Sequence, residues 1–424
     1  MVNIKKDTEH SCIIDNCNSV LNRIFGNDVE LLPSVDELFE LELAYLEFSR
    51  LPAKQLLERT AFIKNIKGKY SKHFLLYSNY SEAKNENRSL QTQTYFEEGK
   101  FSTGYATHGL FPYRGKFHPQ LIKGLLNILG VRKGETVLDP MAGSGTANIE
   151  AALMGINSIA IDVSPFCRFM IQVKYESLTI DTGLLENLPF KSSEIFNFFE
   201  QGNVFAKIKN IKNNGNQKIY NLAFLAWLDA LGYSKRVIRA SHEQLFAKVL
   251  SRYIETVKSM LINPYFNKND IGKLNILHDS EALSIDLPNQ SIDGVITSPP
   301  YSFAIDYIEN DKEQLEFLGY DTKKLKNKLV GLKGKNKTER LNNYFFDMDI
   351  VCKEISRVLK NGKYFVMIIG SNTNQTGGIR LEQTIINSAE KYKMPLVKSI
   401  LKPIKGMRNT MKDEYILIFQ KEKL

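Results

Sequence analysis

The sequence is short of cysteine, of long apolar runs and of repeats, and each shortage removes a class of protein. Only four cysteines occur in 424 residues (Cys12, Cys17, Cys167 and Cys352). No compact framework links them, which excludes a disulfide-stapled fold and fits a reducing compartment. His10, Cys12 and Cys17 lie near one another, but their spacing matches no common zinc pattern and a fourth ligand is missing, so no metal is expected. No run of about 18 apolar residues occurs, so no membrane-spanning helix is expected. The opening MVNIKKDTEHSCIIDNC lacks the apolar stretch of a signal peptide, and a cytoplasmic protein is expected. No repeat or low-complexity tract stands out.

What remains is ordinary globular composition, with 43% hydrophobic and 24% charged residues. At roughly 100 to 200 residues per domain, the length suggests two or three structural units. The formal charge of +9 and a pI near 9.0 raise a polyanionic partner, nucleic acid before an anionic membrane.

Periodicity supplies the organisation. Residues Leu31 to Ile66 carry apolar side chains at helical spacing, broken at Pro52, and predict a helical N-terminal lobe. The polar stretch Ser78 to Lys100 reads as a linker, closing a first unit at about residue 100. From there helix and strand alternate. HPQLIKGLLNIL is an amphipathic helix, ETVLDP a buried strand, GSGTANIEAALMG a turn feeding a helix, and NSIAIDVS a second strand. Such a βαβ unit predicts a parallel sheet flanked by helices. Between 174 and 270 the strand pattern lapses, and FLAWLDALGY and HEQLFAKVLSRYIETVKSML predict a helical insertion. Strands resume at KLNILHD and IDGVITSPPY. The helix YFFDMDIVCKEISRVLK is expected to stop at Asn361-Gly362. It is followed by a strand (KYFVMIIG), a helix (RLEQTIINSAEKYK) and two strands (LVKSILKPI, EYILIFQ) suited to an antiparallel hairpin at one sheet edge. The core then comprises 101–173 and 271–424.

The first chemical motif is DPMAGSGT, with Asp139, Pro140, Ala142, Gly143, Gly145 and Thr146 at a strand-to-helix turn. Glycines there let the backbone approach a ligand, and the helix N-terminus presents unpaired N–H groups. A tight turn alone would also use them. Asp162 ends the next strand, 23 residues after Asp139, where a carboxylate can accept both ribose hydroxyls. Dinucleotide enzymes share that acid but cradle pyrophosphate with GxGxxG. Here the third glycine is absent, and Asp139 would repel pyrophosphate. The acid suits an ammonium and a sulfonium, which favours S-adenosylmethionine over NAD. Asp279, ending KLNILHD, is placed to accept from the adenine amino group, and equally to cap a helix at EAL.

The second motif is Thr297-Ser298-Pro299-Pro300-Tyr301, directly after an apolar strand. Two prolines forbid helix and ladder pairing and leave a stiff loop. Such a loop can hold a flipped base by stacking on Tyr301, while the Ser298 oxygen and the Pro299 carbonyl accept both hydrogens of an exocyclic amino group. That pairing favours a pyramidal nitrogen whose lone pair turns toward a methyl donor, and no strong base is needed before transfer. Extruding the base costs a few kcal/mol, which stacking and edge contacts must offset.

Together these motifs resemble the DNA amino-methyltransferases, which act on N4 of cytosine or N6 of adenine. DPMAGSGT resembles the family's cofactor loop and TSPPY its catalytic motif. THGLFPYRGKFHPQL resembles the segment that packs on the methionine end of the cofactor, which implicates Tyr113, Lys116, Phe117 and Pro119. AIDYIENDKEQLEFLGYD, after TSPPY, is similar to a bacterial subgroup with Ser in the motif. The resemblance implies a Rossmann-like class I methyltransferase fold, a seven-stranded, mostly parallel sheet with one antiparallel edge strand, and S-adenosyl-L-methionine as cofactor. Ser298 in the first position implies N4-cytosine methylation, with N6-adenine next. Methylation at cytosine C5 needs a cysteine nucleophile, usually after proline, and no Pro-Cys pair occurs. An RNA base methyltransferase and an inactive nucleic-acid-binding protein of the same fold are the alternatives. The implied partner is double-stranded DNA with a flipped base, and the family admits a cognate restriction endonuclease acting separately.

About 150 residues separate the two loops, a longer gap than this motif order usually has, and almost nothing follows the core. Target recognition is therefore sought in the N-terminal lobe, the insertion or a long core loop. Residues 321–340 (DTKKLKNKLVGLKGKNKTER) hold eight cations, Lys323, Lys324, Lys326, Lys328, Lys333, Lys335, Lys337 and Arg340, against two acids. This segment is expected to lie as a loop against phosphates beside the flipped base. Trp227 and Tyr233, among Lys235, Arg236 and Arg239, suggest a groove wall, with a helical core as the simpler reading.

Overall fold

The computed structural model describes residues 21–423 except 33, 36, 83–103, 114, 203–214, 235–239, 301–305, 332, 371–379 and 405–412. Its packing divides into two units, residues 1–102 with 123–130, and residues 103–122 with 131–424.

The first unit is more than helical. β1 (Val29–Leu31) pairs antiparallel with β2 (Ile63–Ile66), which follows α1 (Leu38–Arg50) and pairs in turn with β3 (Lys69–Tyr70). A capping box of Glu37 and Glu40 opens α1, and the helix ends one residue before Leu51-Pro52, as proline requires. The helical spacing fails beyond Thr60 because Lys67 (φ 52°) and Gly68 (φ 73°) form a two-residue turn with both residues left-handed, the geometry of a tight hairpin. Glu47 lies fully buried and accepts from Thr60 Oγ1 (2.7 Å), Ala61 N–H (2.8 Å) and Asn127 Nδ2 (2.6 Å). Those donors make a buried carboxyl tolerable, although burial still pushes its pKa up. HPQLIKGLLNIL forms α2 (Pro119–Ile128).

The second unit is built on seven strands: β4 (Thr136–Asp139), β5 (Asn157–Ile161), β6 (Leu274–Leu277), β7 (Ile292–Thr297), β8 (Leu359–Gly370), β9 (Leu396–Pro403) and β10 (Asp413–Gln420). Their order is β6-β5-β4-β7-β8-β10-β9. The four pairs from β6 to β8 are parallel, while β10 runs antiparallel to both β8 and β9. The reversed strand thus sits one place in from the edge, which β9 forms. The chain passes outward through β5 and β6 and then returns to β7 on the other side of β4. That reversal opens a crevice at the carboxyl ends of β4 and β7, where open α/β sheets bind ligands.

Helices α3 (Thr146–Leu153) and α4 (Pro165–Glu176) follow β4 and β5. The insertion folds as α5 (Ser192–Glu200), α6 (Gly215–Ser234) and α7 (His242–Leu261), the last opened by a Ser241–Gln244 capping box. After β7 come α8 (Tyr307–Asn310), α9 (Lys312–Phe317), α10 (Thr322–Lys326) and α11 (Lys337–Val358), and α12 (Leu381–Lys391) lies between β8 and β9. Tyr344, Met348, Val351 and Ile355 of α11 pack on Leu138, Val295, Phe365 and Met367 of the sheet. α11 does not continue to Asn361-Gly362. Leu359 already pairs with Ile292 of β7, and Gly362 (φ 74°) lies inside β8. Strand pairing overrides the glycine as a helix stop.

A separate apolar cluster joins the insertion (Phe199, Phe224, Trp227, Tyr253) to Leu110, Phe111, Phe166 and Met170. Trp227 is 1% exposed, with the Phe317 ring 4.3 Å away, so it is a core residue and not a groove wall. Lys235, Arg236, Arg239 and the Tyr233 side chain lie outside the described residues, as do His10, Cys12 and Cys17. Cys167 and Cys352 are free and buried. No described helix is long and apolar enough to cross a membrane.

Candidate active site

The strand β4 ends at Asp139, and the glycines beyond it set the loop that lines the crevice. Gly143 (φ 51°) and Gly145 (φ 74°) are both left-handed. A Cβ at Gly145 would lie 2.7 Å from Ile171 Cγ1, so a side chain is excluded by both conformation and space. Lys174, fully buried on α4, donates through Nζ to the Ser144 carbonyl (3.1 Å) and pins the loop from beneath. Burial drives its pKa well down. From the end of β5, Asp162 accepts the Gly143 N–H at Oδ2 (2.7 Å) and the Ser164 N–H at Oδ1 (2.8 Å). Each oxygen is fixed by a backbone donor and keeps a second acceptor direction. Burial raises the Asp162 pKa, with those bonds opposing.

Asp139 lies behind the loop and not on the surface of the crevice. It is 1% exposed, and its Oδ1 accepts from Thr297 Oγ1 (2.8 Å) and from the Met141 N–H (3.2 Å). One carboxylate oxygen therefore ties the glycine loop to the strand that leads into Ser298-Pro299-Pro300. Its Oδ2 is buried with no hydrogen-bond partner among the described residues. Burial pushes the carboxyl up to about 7, the Thr297 and Met141 bonds oppose this, and the negative charge of Asp162 adds to it.

The crevice encloses about 960 Å³ counting its open mouth. It is lined by Pro140 to Ser144, Thr146, Asp162 and Ser164, by Tyr113 and Gly115 to Phe117, by Glu281 to Leu283, and by Ser298, Pro300, Tyr307, Ile308, Asp311 and Lys328 to Val330. The rings of Tyr113 and Tyr307 are stacked at 6.2 Å and 10°. Burial holds both phenols protonated, pushing Tyr307 up to about 12 and Tyr113 well above its ordinary range. Lys116 Nζ donates to the His108 carbonyl (3.1 Å), and burial lowers its pKa to about 8.

Of the residues singled out in the sequence, the structure gathers Tyr113, Lys116, Phe117, Pro140, Ala142, Gly143, Thr146, Asp162, Ser298, Pro300 and Lys328 around one crevice. Pro119 begins α2, Gly145 caps α3, and Pro299 is a buried residue between the lining Ser298 and Pro300; none of the three is among the lining residues. Tyr301 lies outside the described residues. Asp279 is exposed and does not line the crevice; Glu281, two residues on, does. EAL is no helix either, because Glu281 and Ser284 bridge across a turn. The lining residues of the α8–α9 segment, Tyr307, Ile308 and Asp311, were missed. Their only sequence signal was position, four residues apart just after a rigid loop.

The basic segment is not an open loop. It forms α10, buries Leu329 to Gly331, and starts α11 at Lys337. Lys326 pairs with Asp306 (2.9 Å) and Glu309 (2.8 Å), Lys328 with Glu281 (2.6 Å) and Lys333 with Asp347 (3.0 Å). Arg340 donates to the Gly334 carbonyl (3.0 Å), while Lys323, Lys324, Lys335 and Lys337 are exposed.

The donor set fits S-adenosylmethionine. Asp162 has acceptor capacity for a ribose, the buried Asp139 Oδ2 is an unmet acceptor beside a loop that lines the crevice, and Leu283, Ile308 and Leu329 offer apolar surface to a purine. Residues 110–318 match the family model described as RMKL-like, methyltransferase domain. The chain is 25% identical over 314 residues to the type II methyltransferase M.BsoBI of Geobacillus stearothermophilus, covering 59% of this chain and 62% of that one. It is 29% identical over 153 residues to the type II methyltransferase M.MjaII of Methanocaldococcus jannaschii, covering 34% and 28%. A stretch of 53 residues is 40% identical to a tRNA (guanine(10)-N2)-dimethyltransferase of Methanothermobacter thermautotrophicus, covering 12% and 16%. Each match spans less than two thirds of the relative's length. With the two loop motifs and the strand order, these likenesses identify residues 110–318 as similar to an S-adenosylmethionine-dependent methyltransferase domain, and the chain as similar to type II methyltransferases.

Proposed function

We propose that the protein transfers a methyl group to an exocyclic amino nitrogen in double-stranded DNA, N4 of cytosine within a specific sequence. The observation that carries this reading is the shared crevice: Ser298 and Pro300 line the same space as Asp162 and the glycine loop. When bound, S-adenosylmethionine supplies an electrophilic methyl on a sulfonium. The Ser298 oxygen and the Pro299 carbonyl accept the two amino hydrogens of a flipped base, and Tyr301 stacks on its ring. That arrangement frees the nitrogen lone pair for attack, and the proton leaves after the N–C bond has formed. Serine at the head of the tetrapeptide favours cytosine, and the relatives named as type II methyltransferases favour DNA. The exposed Lys323, Lys324 and Lys335 are the cations of this segment best placed to meet phosphates.

The short likeness to a tRNA methyltransferase gives an RNA base as the second reading. Incubation of the purified protein with tritiated S-adenosylmethionine and either mixed-sequence duplex DNA or tRNA separates the two. Label in DNA is expected. Label in tRNA alone would move the substrate class to RNA.

A further inference from the structure

No described residue of the stretch 174–270 lines the crevice, yet segments from both of its sides rest on the inserted helices. On one side is the run that ends in Tyr113 and Lys116. Phe111 within it is left-handed (φ 59°), a conformation that a bulky aromatic residue adopts only when its surroundings hold it there. Its N–H donates to the phenol oxygen of Tyr253 on α7 (2.8 Å), and the Tyr253 O–H donates to Asp229 Oδ2 on α6 (2.9 Å). Arg252 donates to the same Asp229 oxygen (2.8 Å), which balances a carboxylate only 2% exposed. The ring of Phe111 meets Phe166 edge-on at 5.0 Å. On the other side is α9, which follows the catalytic tetrapeptide. Gln314 Nε2 donates to the Leu228 carbonyl of α6 (3.1 Å), and Phe317 packs on Trp227.

We infer that the inserted helices are a platform for the cofactor crevice, and that Tyr253 is its positioning residue, holding the strained Phe111 backbone so that Tyr113 and Lys116 face the bound cofactor. Tyr253 touches neither cofactor nor DNA; it acts through the Phe111 amide. Because both of its hydrogen bonds are buried, removing the phenol oxygen leaves an N–H and a carboxylate short of a partner. The inference rests on the cofactor reading and extends it to a region otherwise considered only for target recognition.

The experiment is calorimetric titration of S-adenosylhomocysteine into wild type, Tyr253→Phe and Tyr344→Phe, with melting temperatures and steady-state methylation alongside. Tyr344 is equally buried, but its hydroxyl has no hydrogen-bond partner among the described residues, so Tyr344→Phe controls for loss of a buried hydroxyl. Tyr253→Phe is expected to weaken binding by about tenfold. KM for S-adenosylmethionine should rise by a similar factor while kcat at saturation stays near wild type, and Tyr344→Phe should bind as wild type does. Unchanged affinity in folded Tyr253→Phe would overturn the inference, as would an equal loss in Tyr344→Phe. Should Tyr253→Phe prove insoluble, Asp229→Asn is read in the same assay, with weakened binding supporting the inference and unchanged binding overturning it. A wild type that binds no S-adenosylhomocysteine would instead defeat the cofactor reading.

Discussion

The sheet and the inserted helices bury aromatic and aliphatic side chains with equal thoroughness, yet they contribute to the crevice in opposite ways. The sheet supplies lining residues directly: Asp162 and Ser298 both stand just beyond strand ends and line the crevice. Among its described residues the insertion places none there, and it packs instead against the segments on either side of it. Two regions of similar packing can thus differ in whether function can be read from their residue types.

The largest effect expected from breaking this contrast is Trp227→Ala, which removes the centre of the insertion's core and should destabilise the protein by about 3–5 kcal/mol. If the insertion is the platform, cofactor affinity falls with it although Trp227 is absent from the crevice. Denaturant melts and calorimetry check both, and full affinity in the folded variant would uncouple the two regions. Gly145→Ala comes next, at roughly 1–3 kcal/mol for a left-handed alanine. It also thrusts a methyl at Ile171. Its damage should fall on cofactor binding first, and a variant that binds normally would show that the turn has slack.

Thr297→Val sharpens the contrast within the sheet. It deprives Asp139 Oδ1 of its side-chain donor, at about 1–3 kcal/mol, and loosens the link between the two loops. Here kcat should fall by about tenfold while cofactor affinity holds, the reverse of Tyr253→Phe. Thr297→Ser should recover most of it.

A smaller effect concerns pH. Burial lifts Asp139 to about 7 and Asp229 to about 6, both above the unfolded value of roughly 4. Between those limits the native state binds protons that the unfolded chain has lost. Stability therefore falls as pH rises from about 4, through 6 for Asp229 and 7 for Asp139, and no further beyond. In urea melts across this range Asp229→Asn should lessen the fall between about pH 4 and 6, and Asp139→Asn should lessen it from about pH 4 to 7, each leaving the other acid's share. A rise in stability over the same window would contradict the burial of both acids. The smallest expected change is in the salt dependence of DNA binding. Replacing Lys323, Lys324 and Lys335 by Gln should lower the slope more than replacing Lys326, Lys328 and Lys333, which already have acidic partners.

The seven strands and the two loops were legible because strand periodicity, glycine and proline act locally, and each motif carries its own stereochemical reason. The small sheet of the N-terminal unit was not, because IKNIKGKY forms its hairpin through a non-glycine residue, Lys67, in the left-handed region. Asp162 was readable from its distance to Asp139. Glu281, Tyr307 and Asp311 were not, since nothing in their local sequence separates a lining residue from a surface one. Tyr253 was hidden more deeply, because its partners are 142 and 24 residues away and only the fold brings them together.

The central claim is methyl transfer to a DNA amino group at cytosine. Nucleoside analysis of DNA from cells with and without the expressed protein tests it most directly. A gain of N4-methylcytosine is the predicted result; a gain of N6-methyladenine alone, or no modified nucleoside in DNA, would contradict it.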